Sequence, residues 1–151
     1  MPQSLAQIYL HIVFSTKDRR PYLKDVDLQA RLHAYLAGTC KNLKSPAVAV
    51  GGVQDHVHVL CRLGRQITVA DPVRELKCES SKWLKQQSPE LRGFGWQDGY
   101  GACSISPSHV DPLVKYIARQ ERHHQRVTYQ DELRRLLAKY GIEYDERYVW
   151  D

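Results

Sequence analysis

The stretch that most constrains this chain is Gly51-Gly52-Val53-Gln54-Asp55-His56-Val57-His58-Val59-Leu60. Two glycines in an apolar strand pattern mark a place where backbone comes close to something or bends. The alternation that follows puts His56 and His58 on one face of a strand, and Val57, Val59 and Cys61 on the other, because successive side chains of an extended chain point to opposite sides. The valine face reads as core. The two imidazoles stand roughly 7 Å apart along the strand, a separation that side chains can close onto one ion. A wet sheet face with two solvated histidines satisfies the same pattern, so the pair alone leaves both readings open.

The 151 residues fit one domain, 1–151, large enough to bury a core without covalent staples. Hydrophobic content of 42% and charged content of 26% fit a soluble globular protein. A net charge of +5 leans toward a polyanionic partner, although many proteins with this excess bind none. Cys40, Cys61, Cys78 and Cys103 are scattered, with no Cys-x-x-Cys pair, so reduced cysteines in a cytoplasmic protein are expected rather than a disulfide framework. The first residues do not read as a charged-then-apolar leader, and no run reaches transmembrane length.

Along the chain, Leu5 to Phe14 alternates as a half-buried strand, and Ser15 to Pro21 is a basic loop with Lys17, Arg19 and Arg20. Asp25 to Leu43 has helical spacing, Pro46 to Val53 is a second strand, and the histidine strand runs to about Leu63. Thr68 to Gln87 reads as a helix that opens on Asp71-Pro72, with Val69, Val73, Leu76, Trp83 and Leu84 inward. Arg74, Lys77 and Lys82 lie on its other side, a solvated face or a phosphate-facing one. Phe94 to Gly101 is a glycine- and aromatic-rich loop whose rings either stack on bases or plug a sheet edge. A last strand, Tyr100 to Ser106, is followed by a helix with Ser108 as N-cap and by a final helix, Tyr129 to Tyr140, capped by Thr128.

On the first of these two helices, Tyr116 and Gln120 are one turn apart and share a face beside the apolar stripe Val110, Leu113, Val114 and Ile117. Two neutral imidazoles from His56 and His58 and the amide oxygen of Gln120 make a three-ligand site with open positions. No thiolate takes part, so Mg2+ or Mn2+ is expected rather than structural zinc, with nitrogen ligands favouring Mn2+. Open positions suit the non-bridging oxygens of a phosphodiester. Tyr116 is then the candidate nucleophile, a phenol with a pKa of about 10 that needs a cation or proton acceptor beside it. Attack at phosphorus leaves a 5′-phosphotyrosine and a free 3′-hydroxyl, and the retained bond energy permits rejoining without ATP.

His56-Val57-His58, Trp96-Gln97-Asp98-Gly99-Tyr100, Tyr116-Ile117-Ala118-Arg119-Gln120 and His123-His124 together resemble the single-tyrosine HUH transposases of the insertion-sequence 200/605 type, a group that includes the REP-associated tyrosine transposases. The likeness runs from the first strand to the Tyr144-Asp145-Glu146 tail. It implies an α+β domain of ferredoxin-like or RRM-like form, with a central antiparallel sheet and helices packed on it. It implies metal ligands at His56, His58 and Gln120, and a nucleophile at Tyr116. It also implies a homodimer in which the tyrosine helix can complete the partner's site, acting on hairpins in single-stranded DNA, with no membrane and with nucleoid association when bound. Lys17, Arg19, Arg20, Arg74, Lys77 and Lys82 are candidate DNA contacts that no motif singles out.

His11, His109, His123 and His124 are expected to serve packing, caps or phosphate contact, and Asp55 a turn. Two other readings compete. Histidine-triad nucleotide hydrolases also use alternating histidines on a strand, but they need a third imidazole where Leu60 stands. The non-enzyme reading is a hairpin-binding protein that keeps the fold without transposition; with every catalytic position filled, loss of chemistry is not indicated.

Overall fold

The computed structural model describes residues 2–124 and 126–151. Four antiparallel strands form one sheet: β1 Tyr9–Ser15, β2 Ala47–Gly52, β3 His56–Arg62 and β4 Gly101–Ile105, in spatial order β2-β3-β1-β4. Five helices accompany it: α1 Val26–Asn42, α2 Ala70–Lys85, α3 Val110–Ala118, α4 Gln120–His124 and α5 Tyr129–Lys139. The expected α+β architecture with a central antiparallel sheet is present.

Side-chain alternation sorts the strands between two apolar layers. Leu10, Ile12 and Phe14 of β1 and Val57, Val59 and Cys61 of β3 pack with Leu28, Leu32 and Leu36 of α1 and Val73, Leu76 and Leu84 of α2. On the opposite face, Leu60 and Ile105 meet Ile117 of α3, while Val13 meets Tyr129, Leu133 and Leu137 of α5. β1 is therefore buried on both faces, not half-buried, and it begins at Tyr9 because Leu5 and Ile8 are exposed. The second helical layer covers Tyr9, His11 and Val13, on the face that a half-buried strand would leave to solvent.

Both expectations for the glycines are met. A Cβ on Gly51 would lie 2.7 Å from the Ile117 carbonyl oxygen, so the bare backbone lets α3 settle onto β2. Gly52 has φ +156, and a Cβ there would lie 2.3 Å from the His56 carbonyl oxygen at the tight turn into β3. Elsewhere, Asp25 caps α1 by accepting from the Asp27 amide at 2.9 Å, and Thr128 caps α5 by accepting from the Asp131 amide at 3.2 Å.

Three sequence expectations are corrected. Ser108 is not an N-cap: Pro107–His109 form a 3-10 turn, and Ser108 bonds Ser106 and His109 instead. Tyr116 and Gln120 do not share one helix, because the chain turns at Arg119 (φ -101, ψ 15) between α3 and α4. Val69 is exposed, since α2 starts one residue later. Phe94 and Trp96 take the plugging role rather than the base-stacking one. Both are buried in the core, and Trp96 donates its indole N–H to Ser80 Oγ at 2.9 Å.

His33 on α1 has a buried Nε2 with no hydrogen-bond partner among the described residues. Burial pushes its pKa down from 6.5 to about 4. Between those values the unfolded chain binds the proton and the folded chain does not, so stability falls as the pH drops below 6.5. Urea unfolding should show His33 accounting for about 2 kcal/mol of lost stability between pH 7.5 and 5, and His33→Leu should flatten the profile by that amount. An unchanged profile in the variant would contradict this assignment.

Candidate functional site

The site forms where β3 passes under α3, α4 and α5. His56 and His58 face the second helical layer, as the alternation requires, and both are completely buried. Sequence reading places them on an accessible face with open positions around an ion. The structure instead fills the space above them with Glu132, His124 and Tyr129, because α5 folds back over that face.

Glu132 is the hub. It is 1% exposed, and its Oε1 accepts from Nε2 of His58 at 2.9 Å, His124 at 3.0 Å and His56 at 3.2 Å. Its Oε2 accepts from the Gln120 amide at 3.0 Å and from the Tyr116 hydroxyl in a short hydrogen bond. The Gln120 carbonyl oxygen in turn accepts from His56 Nε2 at 3.0 Å. Tyr116, His56, His58 and Gln120, which sequence reading selects from distant parts of the chain, thus meet around one carboxylate. Tyr116 is half-buried, and its hydroxyl also lies 3.4 Å from His123 Nε2.

Outer partners fix each imidazole. Asp55 Oδ1 accepts from His56 Nδ1 at 2.7 Å, which turns Nε2 toward the hub, so Asp55 orients a histidine as well as making the turn. His11 Nε2 lies 2.8 Å from His58 Nδ1 and does the same for that ring. Burial lowers the pKa of His58, and it lowers His11 to about 3, so both rings are neutral and His11 donates to His58. Burial opposes protonation of His56 as well, but Asp55 and Glu132 override it and raise the pKa to about 9. Burial pushes Glu132 upward, yet the three imidazole N–H donors hold it well below the usual carboxylate range. Burial, followed by the Glu132 hydrogen bond and charge, raises Tyr116 above an ordinary phenol. The resting phenol is therefore protonated.

Four ligand atoms, from His56, His58, His124 and Glu132, lie within 4.8 Å of one another, and this set can hold a metal ion. Ligand atoms about 2.1 Å from a shared ion and at right angles stand about 3.0 Å apart, close to the nitrogen-to-oxygen distances around Glu132. The donor chemistry therefore fits a divalent cation, with Gln120 at its edge. Sequence reading assigns His124 to packing, caps or phosphate contact rather than to a metal, and does not name Glu132. His124 brings a third imidazole to the cluster from α4. Glu132 is legible only as an acid on the apolar stripe of α5, between Tyr129 and Leu136.

Tyr116 also borders two surface depressions. One, of about 360 Å³, is walled by Ile105, Leu113, Leu136 and Tyr140. The other, of about 940 Å³, is lined by Lys115, Arg119, Arg122, Arg126 and Arg135. The six cations selected from sequence are elsewhere. Lys17, Arg74 and Lys82 pair with Asp98, Asp71 and Glu79. Lys77 donates to the carbonyls of Gln97, Asp98 and Gly99 at 2.7–2.9 Å. Arg19 lies over Trp150, and Arg20 lines a separate hollow with Tyr22 and Glu90.

No described helix is long and apolar enough to cross a membrane. The four cysteines are free, with Cys40 and Cys61 buried.

The family of IS200-like transposases matches residues 4–120. Tyr116 and Gln120 fall inside that span, and His124 and Glu132 beyond it. A candidate transposase from Deinococcus radiodurans R1 is 24% identical and superposes with a TM-score of 0.60 over 80% of this chain and 95% of its own. A REP-associated tyrosine transposase bound to a REP hairpin is 16% identical, with a TM-score of 0.60 over 96% of this chain and 90% of its own. At these identities the likeness is one of fold. No curated protein matches in sequence.

Proposed function

Because the chain belongs to the IS200-like transposase family, we propose that it cuts and rejoins hairpin-containing single-stranded DNA, with Tyr116 as nucleophile and a divalent cation held beside it. One observation carries the reading. The only tyrosine hydroxyl bonded to Glu132 among the described residues shares that carboxylate with both strand histidines. His56, His58, His124 and Glu132 would hold the cation, with Gln120 beside them, and three imidazoles favour Mn2+ over Mg2+. When bound, the cation would offset the Glu132 charge next to the phenol and withdraw charge from the phosphate oxygens.

The chain's own residues do the rest. Glu132 and His123 orient the Tyr116 hydroxyl, and α3 presents its oxygen at the edge of the basic depression. That oxygen bonds to phosphorus as its proton passes to Glu132 Oε2, the bond from phosphorus to the 3′ oxygen breaks, and the departing oxygen takes up a proton. The product is a 5′-phosphotyrosine, which an incoming 3′-hydroxyl reverses by the same displacement. A homodimer completing its sites across the interface belongs to this proposal, as does a single functional unit spanning 1–151.

The test incubates the protein with labelled hairpin strands from either side of its gene, with Mn2+ or with chelator. An adduct that resists denaturation, forms with Mn2+ and is absent with chelator is expected. Hairpin binding with no adduct under any metal would leave a binding protein. Turnover of free nucleotides without an adduct would favour hydrolysis.

A further inference from the structure

The basic depression beside Tyr116 is lined by Lys115, Arg119, Arg122, Arg126 and Arg135, with Pro112, His123 and Val127 and no acidic side chain. All five cations are exposed. None forms an ion pair among the described residues, whereas Arg31, Arg74, Lys82, Arg134 and Arg147 each do. The five charges equal the formal net charge of the whole chain, +5. The excess charge is thus matched by one groove. Lys115 stands on α3, Arg119 at the turn after it, Arg122 on α4, Arg126 beyond the end of α4 and Arg135 on α5, so the groove is assembled where these segments meet.

We infer that this groove is the track of the DNA single strand, in which Lys115, Arg119, Arg122, Arg126 and Arg135 hold successive phosphates and lead the scissile one to Tyr116. The inference rests on the single-stranded DNA reading above and adds the surface that reads the backbone. Unpaired cations have no protein charge to give up on binding, so each phosphate they meet releases counterions at full effect. Tyr116 lines the groove together with the five cations, and it also lines the neighbouring hollow that Glu132 borders. A strand in the groove therefore runs past the residue that carries the nucleophile. The contacts fix path and register and leave recognition of sequence to other elements.

The test measures binding of fluorescein-labelled oligothymidylate by anisotropy across about 50–200 mM KCl. Removing two contacts in Arg122→Ala/Arg126→Ala should lower the slope of log affinity against log salt by about 1.4, which corresponds to about 25-fold weaker binding at 0.1 M salt. Arg122→Lys/Arg126→Lys should restore the slope, because the charge is kept. Lys41→Ala/Lys85→Ala, on the opposite helical layer, should bind as wild type does. An unchanged slope in the alanine pair, an equal loss in the control pair, or a loss confined to duplex DNA would each overturn the groove. Adduct formation by wild type combined with an unchanged slope in the alanine pair overturns the groove and leaves cleavage by Tyr116 standing. A lowered slope in a chain that forms no adduct leaves the groove standing and removes the cleavage reading.

Discussion

Tyr116→Phe is expected to abolish covalent attachment of DNA, a loss of at least about a thousand-fold, while the fold and strand binding remain. The substitution removes one oxygen and leaves the ring against His58, where the two rings meet edge to face at 5.9 Å. No neighbouring hydroxyl can substitute. Tyr129 is buried and its hydroxyl donates to Gln97 at 2.9 Å, away from the hub. The readout is labelled DNA retained on the protein after denaturation. Retention at the wild-type level in the phenylalanine variant would move the nucleophile to another residue.

Glu132→Ala is expected to destabilise the metal-free protein by about 3–5 kcal/mol, the range found when one partner of a buried charged cluster is removed. The alanine leaves the N–H groups of His58, His124 and Gln120 and the Tyr116 hydroxyl without their shared acceptor. It also removes one of the two carboxylates that keep His56 protonated. Release of that proton offsets part of the loss and pulls the result toward the lower end. Glu132→Gln keeps the shape without the charge and should fall between the two. Urea unfolding in the presence of chelator reads the difference. A neutral or stabilising Glu132→Ala would mean that the carboxylate does not organise the site.

Much of this arrangement was legible in the sequence, and particular residues show why the rest was not. Strand alternation placed His56 and His58 correctly, because period-two geometry is local. It could not show whether their face is wet, since that depends on α5, which lies some seventy residues downstream and covers it (132 − 58 = 74). The pairing of Tyr116 with Gln120 was found through helical spacing, yet the helix breaks at Arg119 and the two meet through Glu132 instead. Glu132 itself stands among Tyr129, Leu133 and Leu136, where an acid reads as the polar edge of an amphipathic helix. His124 ends a short helix, a position where a cation is ordinarily explained by the helix dipole. The groove cations had no periodic signal, because Lys115, Arg119, Arg122, Arg126 and Arg135 come together only through the break after α3 and the return of α5. On α2 the charge pattern is plain in the sequence, but acidic neighbours on the same helix neutralise Arg74 and Lys82.

The burial of His56 and His58 also separates two things that the sequence ran together. An ion site can be closed, but a transesterification site needs an open edge. Here the closed part is the histidine–glutamate cluster, and the open edge is at Tyr116, which lines both depressions.

The central claim is that Tyr116 carries the covalent bond to DNA. Trypsin cuts after Lys115 and Arg119, so the bond would reside in the short peptide Tyr116–Arg119. Mass spectrometry of the nuclease-trimmed, trypsin-digested adduct should find that peptide heavier by a residual nucleotide on its phenol. A nucleotide found on any other peptide, with Tyr116–Arg119 recovered unmodified from the purified adduct, would contradict the account.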